Sequence, residues 1–116
     1  MLFDIKIYEH WIDNPGNETG SIKTIKLFTD PWDNRGYYAY SLFTELVNEQ
    51  DGLWKDKIFS STDFCQCEVV VKKDDLLFFI DEVNKRAEKV GIHTPERDKV
   101  MEIDENRNYR LEAIES

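Results

Sequence analysis

The stretch Phe64–Val90, FCQCEVVVKKDDLLFFIDEVNKRAEKV, predicts a strand that is followed closely by a helix. From Phe64 to Lys72, cysteines and valines alternate with mainly polar residues, which is the pattern of a strand with one buried face. From Asp74 to Val90, apolar residues recur every three or four positions and predict an amphipathic helix. Acidic residues near the start of this helix and basic residues near its end interact favourably with the helix dipole. Gly91 is expected to end the helix. A fold that combines a sheet with packed helices is therefore indicated.

Two segments near the start of the chain predict a pair of strands. In Phe3–Tyr8, apolar residues alternate with polar ones, and Ile25 and Leu27 flank a lysine in the same way within Ser21–Phe28. The turn-forming residues Asp13–Asn17 lie between the two segments. Because this connection is long and polar, the strands rather than the turn would set the register of the hairpin.

The middle of the chain supplies a first helix and one ambiguous segment. Tyr37–Val47 carries apolar residues at helical spacing. Asp51 and Gly52 follow it and are expected to end the helix. Leu53–Phe59 fits either a short strand or a single helical turn.

The end of the chain completes the predicted fold. His93–Asp98 predicts a loop, and the alternating segments Val100–Asp104 and Tyr109–Ile114 predict a terminal hairpin. The order of elements is then ββαβαββ. One mixed or mainly antiparallel sheet with two helices on one face would bury the apolar faces of both helices. We therefore predict a two-layer sandwich of the α+β class, with residues 1–116 forming a single domain.

The chain is strongly acidic, with 24 Asp and Glu residues against 15 Lys and Arg residues and a net charge of −9 at pH 7. A nucleic-acid-binding protein needs cations to displace the counterions of the phosphates, so no nucleic-acid partner is expected. An anionic membrane surface is disfavoured for the same reason. A basic protein partner is favoured, because opposite electric fields accelerate association.

The sequence also predicts a cytoplasmic location. The first ten residues, MLFDIKIYEH, carry an Asp and a Lys inside the apolar run, which is not the pattern of an export signal. None of the apolar runs has the length of a membrane span. Cys65 and Cys67 lie in one segment and cannot link distant parts of the chain, which fits a reducing compartment.

No motif for catalysis, for a cofactor or for a metal stands out in the sequence. Cys65 and Cys67 lack the second pair of ligands that a zinc site needs. His10 and His93 could each act as a general base beside a carboxylate, but in so acidic a chain such a neighbour is expected by chance. We predict no catalytic residue, no cofactor and no metal, and keep a small enzyme based on histidine and carboxylate as an alternative.

The segment Thr29–Tyr40, TDPWDNRGYYAY, concentrates aromatic residues beside charged ones. These rings could cover the edge of the core, but interfaces also favour Trp, Tyr and Arg at their centres with a polar rim. Three tyrosines in four helical positions cannot all face inward, so at least one ring is expected at the surface. The predicted partner-binding residues are the anchors Trp32, Arg35, Tyr37 and Tyr40 and the acidic rim Asp30, Asp33, Glu45 and Glu49.

These features lead to the hypothesis of a small acidic domain that neutralises or inhibits a basic partner protein, such as a toxin or a nuclease. Immunity proteins, antitoxins and phage-encoded inhibitors act in this manner, by electrostatic capture followed by burial of aromatic anchors. The hypothesis is an analogy of type and rests on no family motif. A structural homodimer with the aromatic segment as its seam is the other alternative.

Overall fold

The computed structural model describes residues 3–10, 23–28, 35–63, 66–90 and 93–115. The elements in these ranges follow the order ββαββααβ. The strands are β1 (Phe3–His10), β2 (Thr24–Leu27), β3 (Ile58–Asp63), β4 (Gln66–Val71) and β5 (Asn108–Glu115). The helices are α1 (Arg35–Asn48), α2 (Lys73–Arg86) and α3 (Pro95–Met101).

The described strands form one sheet in the order β2-β1-β5-β4-β3, and neighbouring strands are antiparallel throughout. β5 is the central strand and joins the pair β1–β2 to the pair β3–β4. Its Leu111 lies opposite Ile7 of β1 and Val69 of β4, and all three are buried. Because side chains alternate along a strand, these residues define the core face of the sheet, and their neighbours in sequence point to the other face.

Phe79 of α2 lies at the centre of the core and is fully buried. Its ring centroid lies 6.1 Å from that of Phe28, at the end of β2, and 6.4 Å from that of Phe43 of α1. The ring of Trp54, in the connection from α1 to β3, lies 5.5 Å away. Both long helices and the core face of the sheet therefore meet in a single hydrophobic cluster.

A tight turn after α1 places Trp54 in this cluster. The N–H of Gly52 donates to the carbonyl of Glu49 at 3.0 Å, and the N–H of Trp54 donates to the carbonyl of Leu46 at 2.9 Å. A Cβ atom on Gly52 would overlap the carbonyl oxygen of Leu46, so the close approach requires glycine. α1 ends at Asn48, ahead of the predicted stop at Asp51 and Gly52, and the turn that follows it closes at Gly52.

The predicted α+β class is confirmed, with an antiparallel sheet and with α1 and α2 packed against each other over its core face. The ambiguous segment Leu53–Phe59 contains a turn around Trp54 and the start of β3 at Ile58. It is therefore a strand at its end and not a helical turn that continues α1.

The predicted loop at His93–Asp98 and the predicted strand at Val100–Asp104 are wrong, because α3 (Pro95–Met101) covers most of the first segment and the start of the second. Proline at the first helical position supplies the φ angle that a helix needs, and acidic residues follow in the first turn. Val100 and Ile103 are both buried. Their spacing of one helical turn, rather than a strand alternation, is what brings them to the core.

α2 ends ahead of Gly91, and a residue other than glycine reverses the chain. Glu88 has a φ of 61°, in the left-handed region. Its N–H donates to the carbonyl of Lys85 at 3.0 Å, and the N–H of Lys89 donates to the carbonyl of Asn84 at 2.7 Å. This is the Schellman pattern, in which glycine is the usual left-handed residue. The expectation that Gly91 ends the helix is wrong, and a strained glutamate ends it instead.

Replacing Phe79 with alanine should lower the free energy of unfolding by about 3–5 kcal/mol, because it opens a cavity among the aromatic rings of the core. Phe78 is the matched control, since it is the preceding residue of the same helix and 39% exposed. Phe78→Ala should change the free energy of unfolding by less than about 0.5 kcal/mol. Urea denaturation followed by tryptophan fluorescence measures both values, and equal losses would contradict the packing described.

Replacing Glu88 with glycine should raise the free energy of unfolding by about 0.5–1 kcal/mol, because glycine adopts a positive φ without the Cβ penalty. Glu88→Ala is the control, since it removes the charge and keeps the Cβ atom. Thermal unfolding of the two variants separates the causes. A gain as large with alanine as with glycine would show that charge, and not backbone strain, is responsible.

Candidate functional site

The outer side of α1 presents two tyrosines to solvent. Tyr37 is 60% exposed and Tyr40 is 39% exposed, one turn further along the helix. Tyr38 is partly buried against the core, and its ring meets that of Tyr37 edge to face, with 5.8 Å between centroids. The prediction that at least one of the three rings faces solvent is confirmed. We call Tyr37 and Tyr40, with the exposed Asn48 on the same side of the helix, the tyrosine face.

Arg35 does not belong to this face, and its prediction as an exposed anchor is wrong. It is buried, and its Nη2 lies 2.8 Å from Oε1 of Glu96 while its Nη1 donates to the second carboxylate oxygen at 3.3 Å. Nη1 also donates to Oδ1 of Asn84 at 3.4 Å. The guanidinium lies over the ring of Phe28, 5.3 Å from its centroid. Arg35 therefore fastens the start of α1 to α2 and α3.

Glu45, predicted as part of the acidic rim, is held by a neighbouring helix. Both its carboxylate oxygens accept hydrogen bonds from Arg86 of α2, at 3.1 and 2.6 Å. The hydrogen bond from Arg86 lowers the pKa of Glu45. The charge of Glu45 is therefore balanced within the molecule and contributes little to an acidic rim.

The carboxylates at the end of α1 are different. Glu49 and Asp51 are exposed and form no ion pair within the described ranges. The last turn of α1 has no basic residue, so the partial negative charge of the helix end adds to these two carboxylates. The negative potential beside the tyrosine face is concentrated at this end.

Three of the predicted partner-binding residues, Trp32, Asp30 and Asp33, lie outside the described residues. Of the remaining predictions, the structure brings Tyr37, Tyr40 and Glu49 to the surface along α1 and turns Arg35 inward.

A charged cluster on the other face of the sheet was not foreseen from the sequence. The pairing of β4 with β5 puts Glu68 opposite Glu112, and both carboxylates are buried. Arg110 lies beside them, with its Nε 3.1 Å from Oε1 of Glu112 and its Nη1 3.9 Å from Oε2 of Glu68. Its guanidinium also lies over the ring of Tyr8, 5.3 Å from the centroid. The alternation of residues in the sequence predicts Glu68 on this face of the sheet. The cluster itself becomes visible only when the pairing of the strands is known.

Two carboxylates of this cluster are buried opposite each other on neighbouring strands, which disfavours their ionised forms. Burial raises the pKa of Glu112, Arg110 lowers it, and Glu68 raises it further, so that the net shift is upward. Burial and then Glu112 raise the pKa of Tyr8. The cluster therefore favours a bound proton on Glu112 relative to an exposed glutamate.

The residues of the alternative enzyme hypothesis are not assembled in the described part of the chain. His93 is exposed between α2 and α3, where the nearby carboxylate of Asp81 is bound by Arg97 at 2.9 Å. The side chains of His10 and Cys67, and all of Cys65, lie outside the described residues. Among the side chains that are described, no cluster of three or more His, Cys, Asp and Glu residues could hold a metal ion.

Comparison with known proteins adds no relative from which a function could be transferred. No protein-family model matches the chain, and neither curated proteins nor solved structures gave a match. In the ranges that the structure covers, every helix is too short or too polar to cross a membrane.

The buried Glu112 and the partly buried Glu96 should affect stability with opposite pH dependence. Burial raises the pKa of Glu96, but hydrogen bonds, chiefly from Arg35, outweigh it and the net pKa is lowered. Glu96 therefore stabilises the fold above the ordinary glutamate pKa of about 4.3, and this contribution is lost as the pH falls through the lowered value. For Glu112, the contribution is present below about 4.3 and is lost as the pH rises through the raised value.

We expect Glu112→Gln to be at least as stable as the wild type at pH 8 and to lose that advantage as the pH falls towards 4.5. Glu96→Gln should be less stable than the wild type at pH 8, with a deficit that shrinks as the pH falls below about 4.3. Urea denaturation at about pH 8, 6, 4.5 and 3.5 measures both. The same sign of pH dependence in the two variants would contradict the assigned shifts.

Proposed function

We propose that this chain is a small, non-enzymatic binding domain that captures a basic partner protein through the tyrosine face of α1. The observation that carries the proposal is the exposure of Tyr37 and Tyr40 on a helix whose other side is buried in the core. Tyrosine is among the residues that dominate binding energy at interfaces, because a large ring is buried at low entropic cost.

The fixed position of α1 supports this role. Its first residue is fastened to Asn84 and Glu96, Glu45 is bound by Arg86, and Trp54 anchors the turn after the helix in the core. A partner would therefore meet rings on a rigid element, and little conformational freedom would be lost on binding. A helix of 14 residues is about 21 Å long, which is adequate for one side of a standard interface.

The charge of the molecule supports a basic partner. The net charge is −9, and Glu49 and Asp51 concentrate negative potential at the end of the tyrosine face. Opposite charge on a partner would raise the association rate, and burial of the tyrosines would slow dissociation.

The partner class that best fits is an enzyme with a basic active site, such as a nuclease or a nucleic-acid-directed toxin. An acidic domain that covers such a site competes with the substrate for the same cations. The domain would then act as an inhibitor in the cytoplasm, in the manner of an immunity protein, an antitoxin or a phage-encoded inhibitor. This assignment is an analogy of type.

Truncation of the two tyrosines should abolish capture of the partner. Three proteins would be immobilised through their N-termini and incubated with native lysate: the wild type, Tyr37→Ala/Tyr40→Ala and Phe78→Ala. Phe78 is the matched control because its exposed fraction equals that of Tyr40. We expect the wild type and Phe78→Ala to retain a protein with a basic isoelectric point. The double variant should not retain it. Calorimetry with that protein should show a Kd at least about 30-fold weaker for the double variant, the equivalent of about 2 kcal/mol.

Recovery that does not depend on the tyrosines, or a recovered partner that is acidic, would contradict the proposal. Sedimentation of the purified chain provides a second check. A dimer that Tyr37→Ala/Tyr40→Ala converts to a monomer would show that the tyrosine face is the seam of a homodimer instead.

Charge reversal at the end of α1 should slow association without disturbing the fold. Glu49→Lys/Asp51→Lys is expected to lower the association rate constant several-fold at low ionic strength, with the difference shrinking at high salt. Glu102→Lys/Glu105→Lys, at two other exposed acidic positions, changes the net charge by the same amount and is the matched control. Equal slowing by the control would show that overall charge, rather than this end of the helix, steers the partner.

A further inference from the structure

A groove of about 400 Å³ lies between the end of α2 and the start of α3. We call it the α2–α3 groove. Its polar lining consists of Asp81, Asn84, Lys85, Lys89, His93 and Arg97. Three of these residues are cations and one is a carboxylate, in a chain whose overall charge is −9. The local charge of the groove is thus opposite to that of the molecule.

Arg97 is oriented for a ligand by the one carboxylate of the groove. Its Nε lies 2.9 Å from Oδ1 of Asp81, and its two Nη atoms have no partner among the residues that the structure describes. An arginine held through Nε keeps both Nη groups for bidentate contact with an oxyanion. Asp81 therefore positions Arg97 and at the same time has its own charge balanced.

The other groups of the groove are also donors. Asn84 is buried, and its Oδ1 accepts from Arg35, so its amide NH₂ group is what remains for a ligand. Lys85 is exposed, and among the residues that the structure describes its ammonium has one ionic partner, Glu82, at 3.4 Å. Such an exposed pair contributes little and is easily exchanged for a stronger anionic partner.

Basic residues near the end of α2 also compensate the helix dipole, but this role does not explain the whole groove. Arg97 belongs to α3, and His93 precedes it. The left-handed turn at Glu88 places Lys89 beside these residues instead of continuing the helix away from them. Donors from two helices and the turn between them therefore converge on one space.

We propose that the α2–α3 groove binds a small organic oxyanion, a metabolite that carries a phosphate or clustered carboxylates. Its volume lies in the range of metabolite sites, about 300–1,000 Å³. Arg97 would bind the oxyanion through its two Nη atoms, Lys85 and Lys89 would balance the remaining charge, and Asn84 would donate its amide. This site does not depend on the proposed binding of a protein to α1.

The test uses pyrophosphate and citrate as probes of the phosphate and carboxylate forms, at constant ionic strength. Amide signals of Lys89, His93 and Arg97 in ¹H–¹⁵N spectra should shift together and saturate with at least one probe. Arg97→Gln should weaken the Kd at least about tenfold, as expected for loss of a bidentate contact. Lys99→Gln is the matched control, since it removes an exposed cation of the same helix outside the groove, and should leave the Kd within about twofold.

Shifts that do not saturate, or that sodium chloride reproduces, would show an adventitious ion only and overturn the proposal. An equal loss of affinity in Lys99→Gln would also overturn it, because binding would then follow total charge. Thermal unfolding establishes that Arg97→Gln is folded. If it is not, Lys85→Gln replaces it, and unchanged affinity in that variant counts against the site.

Discussion

The burial of Phe79 is the interaction on which the rest of the molecule depends. Its ring contacts aromatic side chains from β2, from α1 and from the turn after α1, so that these elements can be packed in only one relative position. The rotation of α1 about its axis follows from this, because the buried stripe that includes Phe43 faces inward. Tyr37 then lies on the opposite side of the helix, and Tyr40 lies at the edge of the stripe. The candidate binding surface is thus a consequence of the core.

Much of the fold could be predicted from the sequence, because strands and helices depend on neighbours a few residues away. α3 could not, since the segment from Val100 to Asp104 is too short for its periodicity to separate a strand from a helical turn. Arg35 could not be placed because its carboxylate partner is 61 residues further along the chain, and no local pattern links them. The sheet cluster required the register of β4 against β5, which composition and periodicity do not contain.

The arginines and lysines of this acidic chain have different structural roles. Several arginines join separate elements, whereas Lys85 pairs with a residue on its own helix. The joining pairs are Arg35 with Glu96, Arg86 with Glu45, and Arg97 with Asp81. The planar guanidinium suits such bridges because it binds a carboxylate at two points. Glu49 and Asp51, by contrast, are exposed and form no ion pair among the described residues.

The central strand β5 follows all other described elements along the chain. During translation, the pairs β1–β2 and β3–β4 therefore leave the ribosome before the strand that unites them. Until β5 inserts, β1 and β4 each have an open edge with unpaired backbone groups, which is the usual template for intermolecular pairing. The nascent chain is most prone to aggregate in this interval, and the interval ends when β5 closes the gap.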